Sequence, residues 1–94
     1  MTVSFSVADN PDAHRYVLAV GEQPIGCVTY RIESGVIALL HAEVDPAHER
    51  QGWGSRLVAG TLDDARERGL KVRPVCPFVV AYVASHPDVQ DLLA

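Results

Sequence analysis

Residues 44–69 read VDPAHERQGWGSRLVAGTLDDARERG, and the fold is decided there. Val44-Asp45-Pro46 closes an apolar extended run, and Gly52 and Gly54 stand in the loop that follows. Beyond them Leu57, Val58, Thr61, Leu62 and Ala65 fall on one face of a 3.6-residue period, with Arg56, Asp63, Asp64, Arg66 and Glu67 elsewhere. Gly69 stops the helix, and Leu70 to Val75 reads as a strand entered after it. A strand, glycine loop, helix and strand in this order predict a parallel pairing between the two strands.

Upstream the period is two. Val3, Phe5 and Val7 alternate with Thr2, Ser4 and Ser6, and Asp9-Asn10-Pro11-Asp12 breaks the run. Arg15 to Val20 and Ile25 to Ile32 are two further strands joined by Gly21-Glu22-Gln23-Pro24. Glu33-Ser34-Gly35 turns into a fourth strand, whose unbroken start Val36-Ile37-Ala38-Leu39-Leu40 predicts burial on both faces. Downstream, Pro77 opens a helix carrying Phe78, Ala81 and Tyr82, Pro87 breaks it, and Val89 to Leu93 forms a short terminal helix. The expectation is an α/β (α+β) fold with a mostly antiparallel sheet and one parallel crossover.

Ninety-four residues make one domain over 1–94, with roughly 65% of the unfolded surface buried on folding. The 48% apolar and 21% charged composition is that of a globular chain. A net charge of −4 argues against nucleic acid as a partner. Residues 50–73 carry six bases and three acids while the remainder is strongly acidic, as in an anion-binding half facing an acidic one or a solvated helix face. Cys27 and Cys76 form no CxxC pair, so neither a disulfide framework nor a metal site is expected. The absence of a long apolar stretch predicts a cytoplasmic protein without membrane association, as a monomer or weak homodimer.

The loop Gln51-Gly52-Trp53-Gly54-Ser55 is suited to an anion. Unpaired N–H groups of a first helical turn point outward together, the helix dipole adds partial positive charge, and glycines admit close approach. Taken with Val44-Asp45-Pro46 and the order of elements, this loop resembles the acetyl-coenzyme A loop of the GNAT superfamily of N-acetyltransferases. The tail Cys76-Pro77-Phe78, Tyr82 and His86-Pro87 is similar to that of its minimal subgroup of roughly hundred-residue members. The resemblance implies fourth and fifth strands splayed around acetyl-CoA. It also implies backbone hydrogen bonds from Val44 to pantetheine, and a pyrophosphate lined by Arg50, Gln51, Gly52, Trp53, Gly54 and Ser55. Arg56 is a further candidate for the phosphates. Glu49 stands where the superfamily usually has Gln or Arg, and the helices with which larger relatives enclose an acceptor are lacking.

Acyl transfer from a thioester to an amine needs a neutral amine, a donor for the oxyanion and a proton for the thiolate. His41 is a candidate base, with Glu43 two residues on as base or orienter; a hydrogen-bonded strand histidine is the alternative. Cys76 precedes a helix start, where a thiol gains nucleophilic character, or else it is a small buried hydrophobe. Tyr82 answers to the tyrosine with which many GNAT enzymes protonate the thiolate. Trp53 reads as a loop anchor, Cys27 as packing, and His14, His48 and His86 as exposed loop residues. Three functions follow: an N-acetyltransferase acting on a small-molecule or peptide amine, a non-catalytic acyl-coenzyme A-binding module, and an interaction domain whose loop binds nothing.

Overall fold

A computed structural model describes residues 4–48 and 51–94; Val3, Glu49 and Arg50 lie outside them. The strands are β1 (Phe5–Asn10), β2 (Arg15–Val20), β3 (Gln23–Glu33), β4 (Val36–Val44) and β5 (Lys71–Pro74). The helices are α1 (Trp53–Glu67) and α2 (Pro77–Ala84), with short 3-10 turns at Pro11–Ala13, Pro46–His48 and Pro87–Leu92. The sheet runs in sequence order, antiparallel through β4, and the β4 to β5 pairing across α1 is parallel.

The turns follow from their residues. Glu33 pairs with Val36, leaving Ser34 and Gly35 as a two-residue loop, both with positive φ, the primed geometry that matches strand twist. Pro77 opens α2 at its first position, where the missing N–H is not needed.

One face of the sheet is covered. Tyr16, Leu18, Val28, Tyr30, Ile37, Leu39 and Val72 are buried beneath Leu57, Val58, Leu62 and Ala65 of α1 and Val79 and Val83 of α2. The other face carries Arg15, Arg31, Leu40 and Arg73 exposed, with Val17, Cys27, Thr29 and Ala38 half-buried. The expected two-sided burial of β4 is therefore corrected. Ile37 and Leu39 are fully buried, Val36 and Ala38 only partly, and Leu40 is exposed, because both helices pack on the same side.

Leu40 is also a bulge. Thr29 pairs with His41 but Tyr30 with Leu39, so Leu40 is an extra residue that reverses the alternation along β4. Beyond it Ala42 and Val44 pack toward the core, whereas His41 and Glu43 stand opposite Thr29 and Cys27 on the uncovered face. β5 pairs only with Val36–Leu39, and the chain leaves it with the N–H groups of Val75 and Cys76 both bonded to the Leu39 carbonyl at 3.0 Å. From Leu40 onward β4 has no strand neighbour on that edge among the described residues, which is the splay that the resemblance implied.

The charge asymmetry is partly consumed within the fold. Arg66 forks onto the Asp91 carboxylate at 2.7 and 2.9 Å, and Lys71 donates to the Asp91 carbonyl at 2.9 Å. Arg68 reaches Asp9 at 3.2 Å and the Tyr16 hydroxyl at 3.1 Å, while Tyr30 donates to Asp9 at 2.6 Å and Tyr16 to Asp64. The last group ties the C-terminal end of α1 to β1, β2 and β3. Two of the six bases in the basic segment, Arg66 and Arg68, thus pair with acids of this chain, and Lys71 holds a backbone carbonyl.

Candidate active site

The free edge of β4 and the start of α1 enclose one cleft of about 640 Å³. The Asp45 N–H bonds back to the Ile25 carbonyl on β3 at 2.6 Å, and backbone groups alternate along an antiparallel strand. The N–H and C=O of Val44 accordingly point to the unpaired edge. Asp45 then turns the chain: its carboxylate accepts the Ala47 N–H at 2.9 Å and its carbonyl the His48 N–H at 2.8 Å.

Gly52 caps α1 with φ +80°, the left-handed region that glycine enters without strain, and supplies no side-chain acceptor. The first bond of the helix runs from the Arg56 N–H to the Gly52 carbonyl at 3.3 Å. The N–H groups of Trp53, Gly54 and Ser55 are therefore free of helical partners at the positive end of the dipole, and all three residues line the cleft. Trp53 is buried, donates from Nε1 to Gln51 at 3.0 Å and meets Phe5 edge-on at 5.6 Å. It anchors the loop as expected. A Cβ on Gly54 would come within 2.9 Å of the Phe78 ring tip, so this glycine lets α1 and α2 approach.

Of the residues expected at the coenzyme, Val44, Gly52, Trp53, Gly54 and Ser55 line the cleft. Gln51 is engaged by Trp53. Arg56 lies over the rings of Trp53 and Phe5, 4.7 and 5.3 Å from their centroids, an exposed cation held on the β1 side of the loop. Arg50 is outside the described residues.

The chemical candidates are dispersed. Glu43 lines the cleft and has His41 3.8 Å away, both exposed on the open face. Cys76 caps α2 but is buried in the core and is not part of the cleft wall. No hydrogen bond among the described residues joins Cys76 to His41, and the sheet lies between them. Tyr82 is also off the cleft: its ring stacks on His86 at 3.8 Å, and burial together with Asp63 and Asp88 raises its pKa.

Phe78 and His48 line the cleft without having been singled out for it. His48 and His86 are half-buried rather than exposed, and His48 Nδ1 is a buried atom without a partner among the described residues. Its sequence neighbourhood, a polar turn, gave no signal of this.

Residues 15–92 match the family model described as GCN5-related N-acetyl-transferase. No curated protein matches. Among solved structures, the solution structure of a "GCN5-like putative N-acetyltransferase" from Staphylococcus aureus superposes with a TM-score of 0.72 at 20% identity, over 95% of this chain and 87% of that one. The ribosomal-protein-S18-alanine N-acetyltransferase of Escherichia coli gives 0.68 at 15% identity, over 89% of this chain and 76% of the other. Ard1 of Thermoplasma volcanium gives 0.56 at 25% identity, over 65% and 43%. The parallel β4 to β5 pair, the splayed edge and the match over most of the chain agree, and the chain belongs to the GCN5-related N-acetyltransferase family.

Proposed function

We propose that the protein is a one-domain acetyl-CoA-dependent N-acetyltransferase acting on a small amine or a peptide amine. The observation that supports it best is the convergence on one cleft of two complementary backbone surfaces, the unpaired edge of β4 and the uncapped N–H groups of α1. The first suits the amide-bearing pantetheine arm, and the second its pyrophosphate. Acetyl-CoA would supply an activated acyl group held as a thioester. Val44 would hold the arm through its N–H and C=O, and Trp53, Gly54 and Ser55 would bind phosphate oxygens through theirs. Arg56, held over the two rings beside the loop, would meet a further phosphate by turning from them toward the cleft. Of the two bases expected on β4, Glu43 is the one that lines the cleft, and it would take the proton from the incoming ammonium.

The tail residues that carry the resemblance to the minimal subgroup lie at α2 and its end. Cys76 and Pro77 start α2, Phe78 forms a wall of the cleft, and the Tyr82–His86 stack fastens the far end of α2. The withdrawal of Cys76 and Tyr82 from the cleft favours a second reading, the non-catalytic acyl-coenzyme A-binding module.

Two measurements separate these readings. Calorimetric titration with coenzyme A and acetyl-CoA tests the cleft, and absence of binding to either overturns both. Thiol release from acetyl-CoA with a panel of amines tests turnover. Binding without release beyond the hydrolytic background leaves the binding module.

A further inference from the structure

On the uncovered face of the sheet a second cavity of about 500 Å³ runs beside the cleft and shares Glu43, Val44 and Pro46 with it. Register explains its lining. Val17, Cys27 and Glu43 stand in one row across β2, β3 and β4, and Arg15 stands one row away on β2. The Cys27 thiol lies between the Arg15 guanidinium and the Glu43 carboxylate. Burial, together with that carboxylate, pushes the thiol up from its ordinary pKa, so it sits there as a neutral wall. Arg15 makes no ion pair among the described residues. Val17, Pro24 and Ile25 give the cavity an apolar floor.

We propose that this cavity is the acceptor site, and that it takes a primary amine carrying an anionic group several bonds from the nitrogen. The proposal rests on the acetyl-CoA reading of the adjacent cleft and adds to it the substrate class. Each end of the ligand is matched: Glu43, at the wall common to both cavities, receives the ammonium, and Arg15 receives the anion. Arg15 and Glu43 lie two strands and one row apart, about 12 Å between backbones at ordinary strand spacing. That separation suits an ω-amino acid better than an α-amino acid, whose charges are too close to reach both. In the reaction Glu43 takes one ammonium proton, and the freed nitrogen lone pair attacks the thioester carbonyl carbon. The C–N bond forms, the C–S bond breaks with its electron pair on sulfur, and the thiolate is protonated from water as the amide nitrogen gives up its second proton to solvent.

The experiment uses the full chain and three matched probes: 5-aminopentanoate, pentylamine, which lacks the anion, and the diamine cadaverine, which replaces it with a cation. Amide chemical shifts of the ¹⁵N-labelled protein are followed with each probe, without coenzyme, and acetylated products are then measured with acetyl-CoA present. The expected result is saturable shifts at Val17, Gly26 and Cys27 with 5-aminopentanoate, and its preference over pentylamine by about tenfold or more in kcat/KM. Arg15→Gln should remove that preference and Arg15→Glu should turn it toward cadaverine, with circular dichroism and unchanged coenzyme A affinity verifying that both variants are folded. Preference of the wild type for cadaverine or pentylamine, or an Arg15→Glu protein with the wild-type order, overturns the proposal while leaving the acetyltransferase reading intact. Failure of coenzyme A to bind overturns that reading instead, and saturable amide shifts then decide the ligand class of the cavity alone. If shifts are absent with 5-aminopentanoate, the ligand class is wrong.

Discussion

Two glycines pose the same steric question with opposite answers. A Cβ added at Gly26 would lie 2.9 Å from the Glu43 carbonyl oxygen and 3.3 Å from Val44 Cγ2, and one added at Gly54 would lie 2.9 Å from Phe78 Cζ. The distance is equal but the obstacle is not. The Glu43 carbonyl is fixed in the β3 to β4 ladder, so Gly26→Ala must push two strands apart. Phe78 is 45% exposed and can swing its ring tip away. Overpacking against a rigid neighbour costs about 1–3 kcal/mol, and replacing glycine in a strand returns about 0.5–1 kcal/mol of chain entropy. Gly26→Ala should therefore be destabilising by about 1–2 kcal/mol, or about 4–16 °C in Tm for a domain of this size. Gly54→Ala lies in the first turn of α1, where leaving glycine gains up to about 1 kcal/mol, and its Tm should hold or rise. Thermal unfolding followed by circular dichroism measures both. Equal losses, or a larger loss at Gly54, would refute the reasoning from rigid and yielding neighbours.

Other expectations can be checked alongside. Gly52→Val places a branched side chain at positive φ beside the free N–H groups, and coenzyme A affinity by calorimetry should fall more than about tenfold in a protein that still folds. Glu43→Gln should lower kcat by about a hundredfold or more while coenzyme A affinity stays at the wild-type value; an unaltered kcat removes Glu43 as the base. Cys76→Ala should lose about 1 kcal/mol of stability through a small core cavity yet keep its turnover, and a loss of turnover with native coenzyme affinity would restore a chemical role to the thiol. Burial, with the Asp9 hydrogen bond next, pushes Tyr30 up to about 12. Its stabilising share is complete below the unfolded value near 10 and is lost as pH rises through about 12. The urea midpoint should fall more steeply across that window than in Tyr30→Phe, and parallel curves would count against it.

Much of the architecture was written in periodicities. The helical stripe of α1 and the punctuation by Gly21, Gly35 and Pro77 each respond to local physics, and local physics decided them, whereas β1 leaves Phe5 exposed and runs on through Asp9 and Asn10, paired with Tyr16 and Arg15, instead of breaking there. The loop was legible for the same reason, since uncapped N–H groups follow from glycine at a helix start. The catalytic candidates were less so. Cys76 stands at a helix start as its neighbours imply, but whether such a side chain faces a cleft or a core depends on how α2 rolls against α1, which Phe78 and Gly54 settle between distant parts of the chain. Tyr82 turns on the same roll. The two-sided burial expected of β4 failed because an unbroken apolar run cannot say how many helices arrive to cover it. His48 was hidden because its environment is assembled by the fold and not by its neighbours in sequence.

The extra residue at Leu40 acts like a one-letter insertion in a message read two letters at a time. Everything after it is read in the other frame, so Ala42 and Val44 complete the core and His41 and Glu43 stay in water. Deleting Leu40 would restore the original frame and drive an imidazole and a carboxylate beneath the helices, where an unpaired charge is untenable. Before Leu40 the strand serves the core through Ile37 and Leu39, and beyond it the core through Ala42 and Val44 and both cavities through Glu43 and Val44. Substitutions on the open face can then change what the cavities take without disturbing Ile37 and Leu39, so a change of ligand need not renegotiate stability.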